Sequence, residues 1–262
     1  MNCVWWMGLT AVFSATGPSE EAPVSAQQAI ALAHVSHSSQ SLAQEFVLAN
    51  HWRKRNEIGK QLAACGHDAV PLCLEIIHET NDSRLSFDAF ELLCDHFPQH
   101  LGTVDFVLTE GLTHQSPRIV YRSLWFVGEQ QLKAARPQLI THLKNPTHTL
   151  LLRAIAAKSL ADCGDASGLR TLIEAAQNDF YMPRYAASQG LKSLTGKNLN
   201  DFAGYNFGEG AFVSGGVEAR ILNPDPASVA RTKAGRWTAL VKYLEWLQVH
   251  RPDLYNSLVT DF

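Results

Sequence analysis

The chain has 262 residues, 46% of them hydrophobic, with 22 Lys and Arg set against 25 Asp and Glu for a formal net charge of -3. That is apolar material enough for a substantial core in one or two domains. With no basic surplus and no long run of like charges, nothing draws the chain to a polyanion, and no nucleic-acid partner is expected.

Residues 1–24 open with MNCVWWMGLTAVFSATG, apolar from Cys3 to Ser14 and then small. This is the pattern of a signal-peptide h-region and cleavage site, and it is too short for an ordinary transmembrane helix. The basic n-region is missing. Two readings therefore stand: export to the periplasm or cell envelope, or a cytoplasmic protein with a buried or disordered N-terminus. The following GPSEEAPVS reads as a flexible leader. No transmembrane span is expected.

Residues 25–52 predict capping helices. Ala29, Ile30, Leu32 and Ala33 form one apolar cluster, and Leu42, Phe46, Val47 and Leu48 a second, with a break at SHSS between them. Such a unit would cover the open end of whatever stack follows.

From 53 to 196 one pattern recurs. In RAIAAKSLADCGDASGLRTLI, Arg153 is followed by Leu160, Cys163 and Gly164; in RNEIGKQLAACGHDAVPLCLEII, Arg55 is followed at the same offsets by Leu62, Cys65 and Gly66. RYAASQGLKSLTG sets Arg184 before Leu191, RLSFDAFELLCDHFP puts Leu92 in the same role, and RIVYRSLWFVGE puts Leu124 and Gly128 there. The aligned leucines stand 30, 32, 36 and 31 residues apart. Each copy predicts a helix with an apolar stripe and a glycine stop that tolerates positive φ. A second helix follows, with a stripe such as Leu139, Ile140 and Leu143 or Leu169, Leu172 and Ile173. Ala156, Ala157, Ala186 and Ala187 would let first helices approach closely. Neither helix can bury its stripe alone, so neighbouring hairpins must stack.

This pattern resembles HEAT repeats, above all the short bacterial form with arginine, paired alanines, leucine and a glycine-bounded turn. Arg84 and Arg118 stand one residue off the expected arginine position, which Leu85 and Pro117 occupy. The resemblance implies an all-α fold, a right-handed α-α superhelix of about five helical hairpins, and a role in binding partners rather than in catalysis.

Residues 197–225 break the period. The stretch NLNDFAGYNFGEGAFVSGGVEARILNPDP is rich in glycine and aromatics, and FVSGGVEARIL could form a small hairpin about Ser214, Gly215 and Gly216. It reads either as a structural excursion or as a contact loop. Residues 226–262 predict a long amphipathic capping helix with Pro226 in its first turn, Trp237 and Trp246 as end-cap residues, and a short helical turn at RPDLYNSL.

Signatures of chemistry are sparse. The sequence lacks GxxxxGK[ST], GxSxG and HExxH, and no cofactor is expected. Cys65, Cys73, Cys94 and Cys163 lie in apolar helical patterns and read as buried, reduced thiols, with disulfides open if the chain is exported. A metal-dependent enzyme is the alternative reading, and it needs His78, Glu79, Asp95, His96 or His100 to converge in one cleft. Arg55, Arg153 and Arg184 read as cross-links between turns, through Asp162 or Asp165. The leading reading is a non-catalytic scaffold for a protein or peptide. Its candidate contacts are Tyr121, Trp125, Phe126, Phe202, Tyr205, Phe207 and Phe212, with 197–225 as the foremost region and Trp125 either core or contact.

Overall fold

A computed structural model describes residues 38–202, 205, 213–214, 217–218 and 226–260. The signal-peptide and leader readings, the first N-terminal apolar cluster, Phe207 and Phe212 lie outside them. The described chain is all-α. Its helices are α1 (38–48), α2 (Trp52–Ala64), α3 (Ala69–Glu79), α4 (Ser83–His96), α5 (Leu101–Thr109), α6 (Pro117–Glu129), α7 (Arg136–Lys144), α8 (Leu150–Asp162), α9 (Leu169–Ala176), α10 (Tyr181–Thr195), α11 (Pro226–His250) and α12 (Pro252–Thr260). A minimal antiparallel pairing of Val213 with Glu218 and Ser214 with Val217 sits before α11. No helix among the described residues is long and apolar enough to cross a membrane.

The helix ends are written locally. Asp82 Oδ1 accepts the N–H groups of Arg84 and Leu85 to start α4, and Thr149 caps α8. At the other ends Gly66, Gly164 and Gly196 take φ of 73, 82 and 73°. After α8 the Asp165 N–H reaches back to Leu160 O at 2.9 Å, closing a Schellman turn around Gly164. The same turn follows α6, where Leu132 N–H bonds Val127 O, but its left-handed residue is Gln131 at φ 52°. Gly128 is thus not the stop expected of it, because the turn falls three residues later.

Packing follows the period. The aligned leucines Leu62, Leu92, Leu124, Leu160 and Leu191 are all buried. Helices α2, α4, α6, α8 and α10 contact one another in chain order, while α3, α7 and α9 pack against members of that row and touch each other far less. The row is tightest at α8, where every residue from Ala154 to Ala161 is buried. A Cβ on Gly128 of α6 would lie 3.0 Å from Ser159 Cα, and one on Gly190 of α10 would lie 3.0 Å from Lys158 Cα. Glycine inside these two helices serves close approach, despite its cost in helix propensity.

The C-terminal helices close the far end. Both α11 and α12 pack on α9; Tyr243 OH lies 3.2 Å from Thr195 Oγ1, and Arg251 donates to Leu194 O. Their buried face uses Arg236, Ala239, Leu240, Tyr243 and Leu247. Trp237, expected in the cap, is 56% exposed instead. Arg236 takes the inward position because Asp179 Oδ1 meets its Nη2 at 2.9 Å. The final turn at 252 is a full nine-residue helix.

Two more expectations are corrected. Cys73 and Cys94 are buried, but Cys65 and Cys163 are half-exposed at the ends of α2 and α8. The repeat arginines do cross-link turns, through other partners than expected. Arg55 donates to Asp88 and Ala49 O, Arg153 lies 3.7 Å from Glu174, and Arg184 donates to the carbonyls of Asn178 and Asp179. Asp162 and Asp165 serve Lys158 and Arg136.

Candidate binding surface

Residues four apart share one helix face. Tyr121 and Trp125 therefore emerge together from α6, and Tyr181 and Tyr185 from α10. Helix α8 lies between them and packs closely on both, and the side chains of α6 and α10 meet. The Trp125 and Tyr185 ring centroids are 5.9 Å apart at 34°. Tyr121 lies 6.4 Å from Trp125 at 53°, and Tyr181 stacks on Tyr185 at 5.7 Å and 19°. The result is a continuous band of four half-buried rings spanning three helices. Burial pushes the Tyr121 phenol above its ordinary pKa, so it presents a neutral hydroxyl.

Charge surrounds this band but is locally balanced. Lys158, 6% exposed, places Nζ 4.4 Å from the Trp125 ring centroid and 2.7 Å from Asp162 Oδ2. Ser193 Oγ donates to the other Asp162 oxygen at 2.5 Å. On the far side of Trp125, Arg122 bridges Glu129 at 2.8 Å and Asp95 at 3.1 Å. Such a surface offers aromatic area with polar groups at its margins.

Of the expected contacts, Tyr121 and Trp125 stand in this band. Phe126 points the other way and is fully buried, one residue on along a helix whose successive side chains turn by about 100°. Tyr205 is also buried, donating its hydroxyl to Ala176 O at 3.0 Å. Phe202 packs edge-on against Tyr243, centroids 5.6 Å apart. Neither Phe126 nor Tyr205 can meet a partner from the core. Tyr181 and Tyr185 went unmarked in sequence, although YMPRY carries the same spacing of four as Tyr121 and Trp125.

The residues required by the metal-enzyme reading do not converge. His78 Nε2 lies 3.0 Å from Glu110, Asp95 is held by Arg122, and His100 Nδ1 accepts the Gly102 N–H at the start of α5. Among the described residues no three His, Cys, Asp or Glu side chains are grouped to hold a metal ion.

No protein-family model matches the chain, and no curated protein matches it in sequence.

Proposed function

We propose that the protein is a non-catalytic scaffold that binds a protein or peptide segment across α6, α8 and α10. In this reading residues 53–196 form a HEAT-like, right-handed superhelix of about five hairpins. The recurrent leucine spacing supports it, as does the row of first helices that touch in chain order. The closer packing of that row would put it on the inner side of the curve.

The observation that carries the binding role is the band Tyr121, Trp125, Tyr185 and Tyr181. Tyrosine and tryptophan supply large contact area with few rotatable bonds, and they are enriched where partners bind most strongly. With Phe126 and Tyr205 turned inward, this band is our leading contact surface, and 197–225, most of which lies outside the described residues, stays as the second candidate region. Export remains part of the proposal, and the N-terminal sequence of the mature protein decides it.

Affinity capture with the full chain, paired with a Tyr121→Ser/Tyr181→Ser variant of unchanged melting behaviour, tests the site. A partner held by the parent, lost by the variant and then titrated directly against both would support it. A partner that binds both alike would place the contact elsewhere.

A further inference from the structure

We propose that His142 and His148 form a proton-operated latch. It ties the connection 145–149, which leads from α7 into α8, to the neighbouring connection between α5 and α6. The latch holds while the two rings carry one positive charge or none, and it opens when both are charged. It stands independently of the aromatic band and of the scaffold reading.

The hydrogen positions follow from the partners. Leu112, in the connection between α5 and α6, offers a carbonyl 2.8 Å from His142 Nε2. A carbonyl only accepts, so Nε2 carries a hydrogen. The other ring nitrogen, Nδ1, lies 3.1 Å from His148 Nε2, and the two rings are close to parallel at a centroid distance of 5.0 Å. One hydrogen must lie between these nitrogens, because two lone pairs repel and two N–H groups would meet hydrogen to hydrogen.

Counting protons gives the threshold. With both rings neutral, His148 Nε2–H donates to His142 Nδ1. One added proton goes to His148 Nδ1, which takes no part in these bonds, and every bond stands. A second has only His142 Nδ1 left to it, and two N–H groups on two cations then face each other across 3.1 Å. His148 must swing away, and the connection 145–149, with the α8 cap Thr149, goes with it.

The surroundings support this order. His142 is 8% exposed and His148 only half-buried, so the first charge falls on the ring with more access to water. Asn145 Oδ1 accepts the Thr147 N–H at 3.0 Å and Thr147 Oγ1 at 2.8 Å, which turns the Asn145 amide nitrogen toward His148 Nε2. At 3.4 Å that contact is too long to compete for the nitrogen. Burial holds the His142 pKa below its ordinary value; the Leu112 carbonyl opposes this, and His148, the one titratable group acting on it, adds to it. The α5–α6 connection also carries His114, and α8 carries Arg153 and Lys158, but their partners are the Ser116 N–H, Glu174 and Asp162. Lys144 on α7 is exposed.

The test is NMR of the full chain, taken from neutral pH down until both rings are charged. Ring nitrogen shifts report which atoms carry hydrogen, and backbone order parameters report the freedom of 147–149. At neutral pH His142 is expected with hydrogen on Nε2 and Nδ1 bare. The order parameters should stay at about 0.85 while one ring is charged and fall below about 0.6 once both are. His148→Gln keeps an N–H donor that takes up no proton, so 147–149 should stay rigid throughout. His148→Ala lacks the donor and should be mobile there even at neutral pH. A neutral His142 with hydrogen on Nδ1 would overturn the proposal. So would a parent whose 147–149 responds to pH only as His148→Gln does, or one that loses order along the whole chain at once.

Discussion

Lys158 Nζ lies 4.4 Å from the centre of the Trp125 ring and 2.7 Å from Asp162. The side chains of the ion pair are only 8% and 13% exposed, so each charge depends on the other. Removing one member of such a pair leaves an uncompensated charge, whereas replacing both by apolar groups of similar volume does not. Asp162→Ala and Lys158→Met are therefore each expected to cost roughly 3 kcal/mol, and the double variant Lys158→Met/Asp162→Leu clearly less than the sum of the two. Urea denaturation of the three variants checks this, and strictly additive losses would show that the two charges do not depend on each other.

Gln131 holds the left-handed position that glycine holds at 164. An L-residue there carries a penalty that glycine avoids, so Gln131→Gly should gain about 1 kcal/mol. Gly128→Ala should lose about 1–3 kcal/mol, because the new Cβ would meet Ser159 and Asp162 at 3.0 Å or less. Calorimetric melting of both variants would reverse the roles assigned to these residues if the signs were exchanged.

His142 is buried, with one ring nitrogen 2.8 Å from Leu112 O and the other 3.1 Å from His148 Nε2. Burial lowers its pKa, and the neighbouring His148 adds to this, against the Leu112 carbonyl. The unfolded chain then takes up a proton that the folded state resists. This stability contribution is complete above the ordinary histidine value of about 6.5 and is lost as pH falls through the lower folded value. Folding free energy should drop more steeply between neutral and mildly acidic pH in the parent than in His142→Gln, as parallel urea titrations would measure. His114 is shifted in the same direction and leaves a residual slope in both.

Burial pushes the Cys73 and Cys94 thiols up to about 12, while Cys65 and Cys163 are half-exposed. The thiolate is the reactive form. In a Cys3→Ser background, a native thiol titration with a disulfide reagent should count two fast groups and reach four only after unfolding. Prompt reaction of all four would mean that the core opens readily.

The helices were legible because one buried leucine in each of α2, α4, α6, α8 and α10 recurs at nearly constant spacing, and because Gly66, Gly164 and Gly196 follow a local rule. Gly128 misled because its copy ends on a glutamine, and only the backbone trace shows which residue turns. The aromatic band was half legible. Tyr121 and Trp125 stood out as bulk among alanines, but their meeting with Tyr185 depends on how closely α6 and α10 each approach α8. Trp237 faces solvent rather than the cap because Arg236 takes the inward position, held by Asp179, a residue 57 positions away from Arg236. Hydropathy along one helix carries no information about such a partner.

Gly128 and Gly190 hold α6 and α10 against α8 at separations that a single added carbon would disturb, whereas the junctions from α2 to α6 are looser. The rings of Tyr121 and Trp125 on one side and Tyr181 and Tyr185 on the other are carried by α6 and α10, so the distance between the pairs is fixed by backbone meeting backbone, not by the rings themselves.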